Sequence, residues 1–167
     1  EESVKTLIEQ GSIYRNGERW ERGELHELVV PQSVKEAIGR RLTRLSEETM
    51  TVLHTAAALG KQFEFRELTA VGSASEDQIL DALDEATAAQ LVSPGQGERF
   101  QFTHDKIREV LNEELNPIRR RRLHQRIGDS LVELNGATDH EYVQDIAHHF
   151  ALSGDLERSV EYSMRAA

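Results

Sequence analysis

The stretch Phe100-Gln101-Phe102-Thr103-His104-Asp105-Lys106-Ile107-Arg108-Glu109 carries period-two alternation directly into a helical period, and it constrains the fold more than any other segment. Two phenylalanines two residues apart mark a half-buried strand. Thr103 is of the type that caps the helix that follows, and Asp105 falls in its first turn, where the helix dipole favours an anion. A strand that enters a helix without a linker needs a partner strand and a helical layer to cover it. The rest of the chain supplies both.

Upstream, Leu91-Val92-Ser93 reads as the partner strand, separated from Arg99-Phe100-Gln101-Phe102 by a loop holding Pro94, Gly95 and Gly97. Before these strands the pattern predicts a helix over 47–59 capped by Ser46 and stopped by Gly60. A short helix near 65–71 and a helix over 76–89 capped by Ser75 follow. Three helices followed by a two-stranded wing is the order of a winged-helix domain, expected over 46–116. On its N-terminal side, Val34, Ile38, Leu42 and Leu45 share one face of a helix opened by Pro31.

Asn16-Gly17 between Ser12–Arg15 and Glu18–Glu21 predicts a β-hairpin, and Val4, Leu7 and Ile8 predict a preceding helix ended by Gly11. Trp20, Tyr14 and Ile13 on the hairpin read as packing residues. On the C-terminal side, Asn116-Pro117 breaks the chain and starts a helix with Leu123, Ile127, Leu131 and Leu134 as its stripe. A helix holding Val143, Ile146, Ala147 and Phe150 follows. After a Ser153-Gly154-Asp155 turn comes a last helix with Val160, Tyr162 and Ala166. The expected chain is mainly α, in three parts: 1–45 with the hairpin, 46–116, and a helical-repeat start over 117–167. Glu1 and Ala167 both fall inside amphipathic helical patterns, so a segment of a longer protein is expected.

Composition narrows the chemistry. Zero cysteines exclude disulfides, thiol catalysis and Cys-based zinc sites. No apolar run reaches the roughly 20 residues of a membrane span, and no signal-peptide pattern opens the chain, which reads as cytoplasmic. No Walker loop, Gly-x-Ser-x-Gly elbow or kinase-type loop occurs, so the segment is not expected to be an enzyme by itself. The formal charge of −10 opposes nucleic-acid binding. The third helix of the expected winged helix would be the DNA reader, yet it carries Glu76, Asp77, Asp81, Asp84 and Glu85 with no Lys or Arg between 76 and 89. Asp145 and His149 stand four apart with Glu141 before them, but no upstream pair completes a metal-ligand set.

Four consecutive arginines, 119 to 122, cannot share one helical face, because successive residues step about 100° around the axis. They read as a solvated, ion-pairing surface or as a docking face for an acidic partner surface or for the parent protein. Arg108 falls one turn beyond His104, where it either pairs with Asp105 or the neighbours of Glu109, or adds positive potential beside the imidazole.

The His104-Asp105 junction resembles the end of the winged-helix domain in STAND-type signalling NTPases, where a methionine-histidine-aspartate motif brings the His to the β-phosphate of ADP. Thr103 stands here in place of the methionine. The run from Pro31 to Leu45 resembles the segment joining lid to winged helix in the bacterial members. Asn116-Pro117 followed by Arg-Arg-Arg-Arg-Leu-His resembles their exit from it, and Ala147 to Ala166 resembles a tetratricopeptide (TPR-like) helix pair. Residues 1–30 look like the end of the lid beyond a Gly-Asn-Pro motif that is absent here. The resemblance implies a regulatory segment of a nucleotide switch. An upstream P-loop domain would hold ADP or ATP with Mg, His104 would sense the β-phosphate, and further helical repeats would lie downstream. The alternatives are an interaction scaffold in which 117–167 binds a protein partner, and a DNA-binding winged-helix regulator.

Overall fold

A computed structural model describes residues 13–16, 19–22, 32–135 and 140–166. The chain divides into two compact units, Glu1–Val34 and Lys35–Ala167. In the first, β1 (Ile13–Asn16) and β2 (Arg19–Arg22) pair antiparallel, with Asn16 opposite Arg19. The hairpin is present, but Asn16 ends the first strand instead of beginning the turn, which moves both strands one residue on from the expected positions. The expected helix over 1–10 and its Gly11 stop lie outside the described residues.

Helix α1 (Gln32–Leu42) leads into the second unit. Its residues Ile38 and Leu42 are buried in the first core, Leu45 beyond it packs on that core, and Val34 is exposed. Next come α2 (Glu47–Leu59), β3 (Gln62–Glu64), α3 (Phe65–Val71), α4 (Glu76–Ala88), β4 (Val92–Pro94), β5 (Arg99–Phe102) and α5 (Asp105–Glu114). Local chemistry sets most of these boundaries. Ser46 Oγ accepts from Thr49 N at the start of α2, and Ser75 with Gln78 closes a capping box on α4. Gly60 ends α2 at φ 156°, a backbone setting in which a side chain is strained.

The sheet has three strands in the order β3-β5-β4, all antiparallel. The strand missing from the sequence-based expectation, β3, is only three residues long. It exists because Phe63 pairs with Phe100 across the ladder and stacks on it, ring centroids 6.1 Å apart. The other partner strand runs Val92–Pro94 instead of Leu91–Ser93, with Pro94 on an edge strand, where a missing N–H is tolerated. Behind the sheet, Leu53, Ala56, Leu68, Ile79, Leu83 and Leu111 form a closed core.

The remaining helices are α6 (Pro117–Asn135), α7 (His140–Ser153) and α8 (Leu156–Arg165). Pro117 starts α6, and Asn116 Oδ1 accepts from the N–H of Ile118 at 2.8 Å, so the Asn-Pro break works as the sequence suggests. Leu123, Ile127 and Leu131 form a second core with Val143, Ile146 and Phe150, while Leu134 at the end of the stripe is half exposed. Helices α6 and α7 approach closely at Gly128, where an added Cβ would lie 2.7 Å from Cε1 of Phe150. Arg158 closes the α7–α8 corner: its guanidinium lies 4.1 Å from the Phe150 ring centre and reaches Asp129 at 2.6 Å and Asp155 at 2.7 Å. Asp155 also caps α8 by accepting from the N–H of Arg158. The two cores belong to one compact unit and are tied by polar contacts, Arg66 Nη2 to Tyr142 Oη at 2.7 Å and Ser130 Oγ to Ala70 O at 3.2 Å. Among the described residues, no helix is long and apolar enough to cross a membrane.

Candidate functional site

His104 occupies the N-cap position of α5 in extended backbone, φ −144° and ψ 137°, and its side chain makes no capping bond. It is exposed, and no described residue shares a hydrogen bond with its ring. The residue on each side is tied down. Thr103 N–H donates to Leu91 O at 3.0 Å, and Thr103 Oγ1 donates to Gln90 O at 2.9 Å. Asp105 pairs with Lys61 Nζ at 3.2 Å. Thr103 therefore does not cap α5, as its position suggested: its hydroxyl is spent on the turn at Gln90, a non-glycine residue held at φ 58°. The outcome is a junction, anchored at Thr103, that presents an exposed imidazole without a partner among the described residues beside a helix N-terminus with no side-chain cap.

Arg108 departs from the ion pair that the sequence suggested. Asp105 is taken by Lys61, and Glu109 by Lys106 at 2.5 Å. Arg108 instead lines a cavity of about 560 Å³ with Asn112 on α5, Arg120, Arg121 and His124 on α6, and His148 on α7. His104 does not line it. Arg108 Nε and Asn112 Oδ1 are buried and without partners among the described residues, while Asn112 Nδ2 donates to Ala57 O at 3.2 Å.

The arginine run divides as helical geometry requires. Arg120 and Arg121 line that cavity, whereas Arg119 and Arg122 line a second one of about 630 Å³ with His54 and Arg126. All four arginines 119–122 are exposed, and none has an ion pair with a described carboxylate, so the surface is solvated but not ion-paired as expected.

On α4, Glu76, Asp77, Asp81 and Asp84 are exposed and keep that helix face acidic. Glu85 is used differently. It accepts from Ser46 N at 3.1 Å, from Ser46 Oγ at 2.8 Å and from the buried Thr49 hydroxyl, fastening α4 to the start of α2. The Thr49 and Ser46 hydroxyls hold its carboxyl below the usual glutamate range.

His149 does not join Asp145 in a ligand set. It is buried at 3% exposure, against His124 at 6%, with the two Nδ1 atoms 2.9 Å apart. One ring must donate and the other accept, which requires at least one neutral imidazole. Burial, then the positive charges of His148 and Arg120, pushes His124 down to about 4. Burial, then His124 and His148, pushes His149 down to about 3. Sequence reasoning missed this pair. Its only signal was that His124 sits beside Leu123 on the buried stripe and His149 three residues after Ile146.

No family model, no curated protein and no solved structure matches the chain.

Proposed function

We propose that this chain is a regulatory segment of a larger signal-transduction ATPase of the STAND type. In this reading residues 46–116 act as a winged helix that closes over ADP in an upstream P-loop domain, and His104 donates a hydrogen bond to the β-phosphate. The upstream domain supplies the phosphate cradle, Mg and hydrolysis, and the segment itself is not an enzyme. It works in the cytoplasm and passes the nucleotide state to the helices that follow.

The observation that carries the reading is the presentation of His104. Its imidazole is exposed and unbonded among the described residues, while the residues flanking it are fixed by Gln90, Leu91 and Lys61. The backbone that carries the donor is anchored at Thr103, so meeting a ligand from another domain orders only the side chain. The order α2, α3, α4, then the β4–β5 hairpin with β3 beside it, agrees with the winged-helix reading. A hydrogen bond to a charged phosphate is worth about 1.5–3 kcal/mol, enough to bias a closed state about tenfold to a hundredfold. The acidic exposed face of α4 argues against DNA as the partner.

A second reading, an interaction scaffold without nucleotide sensing, is favoured by α8. Leu156, Val160 and Met164 form an exposed stripe, 69%, 58% and 76% accessible, at the spacing a further helix or a protein partner would cover. Exchange of the imidazole C2 proton of His104, followed by mass spectrometry on the full-length protein, separates the two. Slower exchange with ADP bound supports the sensor, and identical exchange with and without ADP sinks it in favour of the scaffold.

A further inference from the structure

We infer that the cavity between α5, α6 and α7 is a binding site for a small phosphate ester, separate from the nucleotide that His104 is proposed to sense. The cavity is lined by Arg108, Arg120, Arg121, His124 and His148 and by no carboxylate, in a chain whose formal charge is −10. Three arginines on an acidic protein, without acids to neutralise them, lower the energy of an anion placed there. Its volume of about 560 Å³ is within the range that small-molecule sites occupy.

Arg120 and Arg121 present exposed guanidinium groups at the cavity, and arginine binds phosphate oxygens in its planar fork. The volume leaves room beside the phosphate for the body of an ester. Arg108 Nε, buried and without an acceptor among the described residues, is closed to water, so Arg108 acts on a ligand through its charge.

Calorimetric titration of the 167-residue chain with ribose 5-phosphate, inorganic phosphate and ribose at constant ionic strength tests this. Saturable binding of ribose 5-phosphate is expected, tighter than inorganic phosphate, with no heat from ribose. The pair Arg120→Gln/Arg121→Gln should weaken it about tenfold or more, as loss of charge-assisted hydrogen bonds does, and Arg108→Gln should weaken it less, through the lost charge alone. Arg119→Gln/Arg122→Gln, in the second cavity, should leave it unchanged. The exposed Arg120/Arg121 pair serves as the readout if Arg108→Gln disturbs folding. Absence of saturation, or equal weakening by both exposed arginine pairs, overturns the site. Equal affinity for inorganic phosphate overturns the choice of an ester.

Discussion

Acidification should loosen the second core through the His124–His149 pair well before the carboxylates titrate. Both histidines are free to gain a proton in the unfolded chain near pH 6.5, but burial holds them near 4 and 3 when folded. Between those limits the unfolded state binds more protons, so stability falls as the pH drops. The slope is about 1.4 kcal/mol per pH unit for each histidine. From pH 6.5 to pH 5 that amounts to at most about 2 kcal/mol each and about 4 kcal/mol for the pair, a large share of the stability of a small domain. Protonating both rings also converts two facing Nδ1 atoms 2.9 Å apart into two donors, which ends their hydrogen bond.

Equilibrium urea unfolding at pH 7, 6 and 5 measures this loss, and His124→Asn/His149→Asn is the comparison. Asparagine places a donor or acceptor near the former Nδ1 but does not titrate. Glu85 and Asp155 interfere little, because their carboxyls are held low and their contribution is lost only as the pH falls through the ordinary carboxylate range, at the acid end of this window and below. Burial raises the Glu67 carboxyl, which gives the opposite sign and is common to both proteins. The native chain should lose stability over this window and the double variant much less. Equal slopes in the two proteins would refute the assignment of the effect to the pair.

Other consequences are local. Gly128→Ala should destabilise by about 1–2 kcal/mol in urea unfolding, since overpacking against the buried Phe150 ring outweighs the helix propensity gained; Phe150→Leu in the same chain should recover part of the loss, and a stabilising Gly128→Ala would contradict the close approach. Glu85→Gln should cost about 1–2 kcal/mol by weakening the bonds from Ser46 and Thr49, whereas a change under about 0.5 kcal/mol would show the link to be idle. Gln90→Gly should stabilise by about 0.5–1 kcal/mol, because it removes a side chain from a left-handed setting at an exposed position, and a loss in thermal unfolding would count against that strain.

How much could be read from the sequence depended on whether the determining contact was local. Ser46, Ser75, Gly60 and Pro117 act within a few residues of themselves, and the boundaries they imply agree with the structure to within a residue. Strand β3 depends on Phe100, nearly forty residues away along the chain, and Gln62-Phe63-Glu64 by itself is too short to announce a strand. Thr103 has the right chemistry for a cap, but its hydroxyl finds the Gln90 and Leu91 carbonyls first, a competition set by the fold. At the candidate sites, an exposed His104 at the start of a helix was legible. The diversion of Arg108 into a cavity was not, because it depends on which acids Lys61 and Lys106 claim. The His124–His149 contact joins two helices whose relative register no periodicity reveals.

The proposed nucleotide switch rests on His104, and the most direct test is the release rate of a fluorescent ADP analogue from the full-length protein, native against His104→Ala. Release about ten to a hundred times faster in the variant, with the fold intact, is what loss of a hydrogen bond to the β-phosphate predicts. Unchanged release would contradict the sensor role and leave His104 as the residue that begins α5.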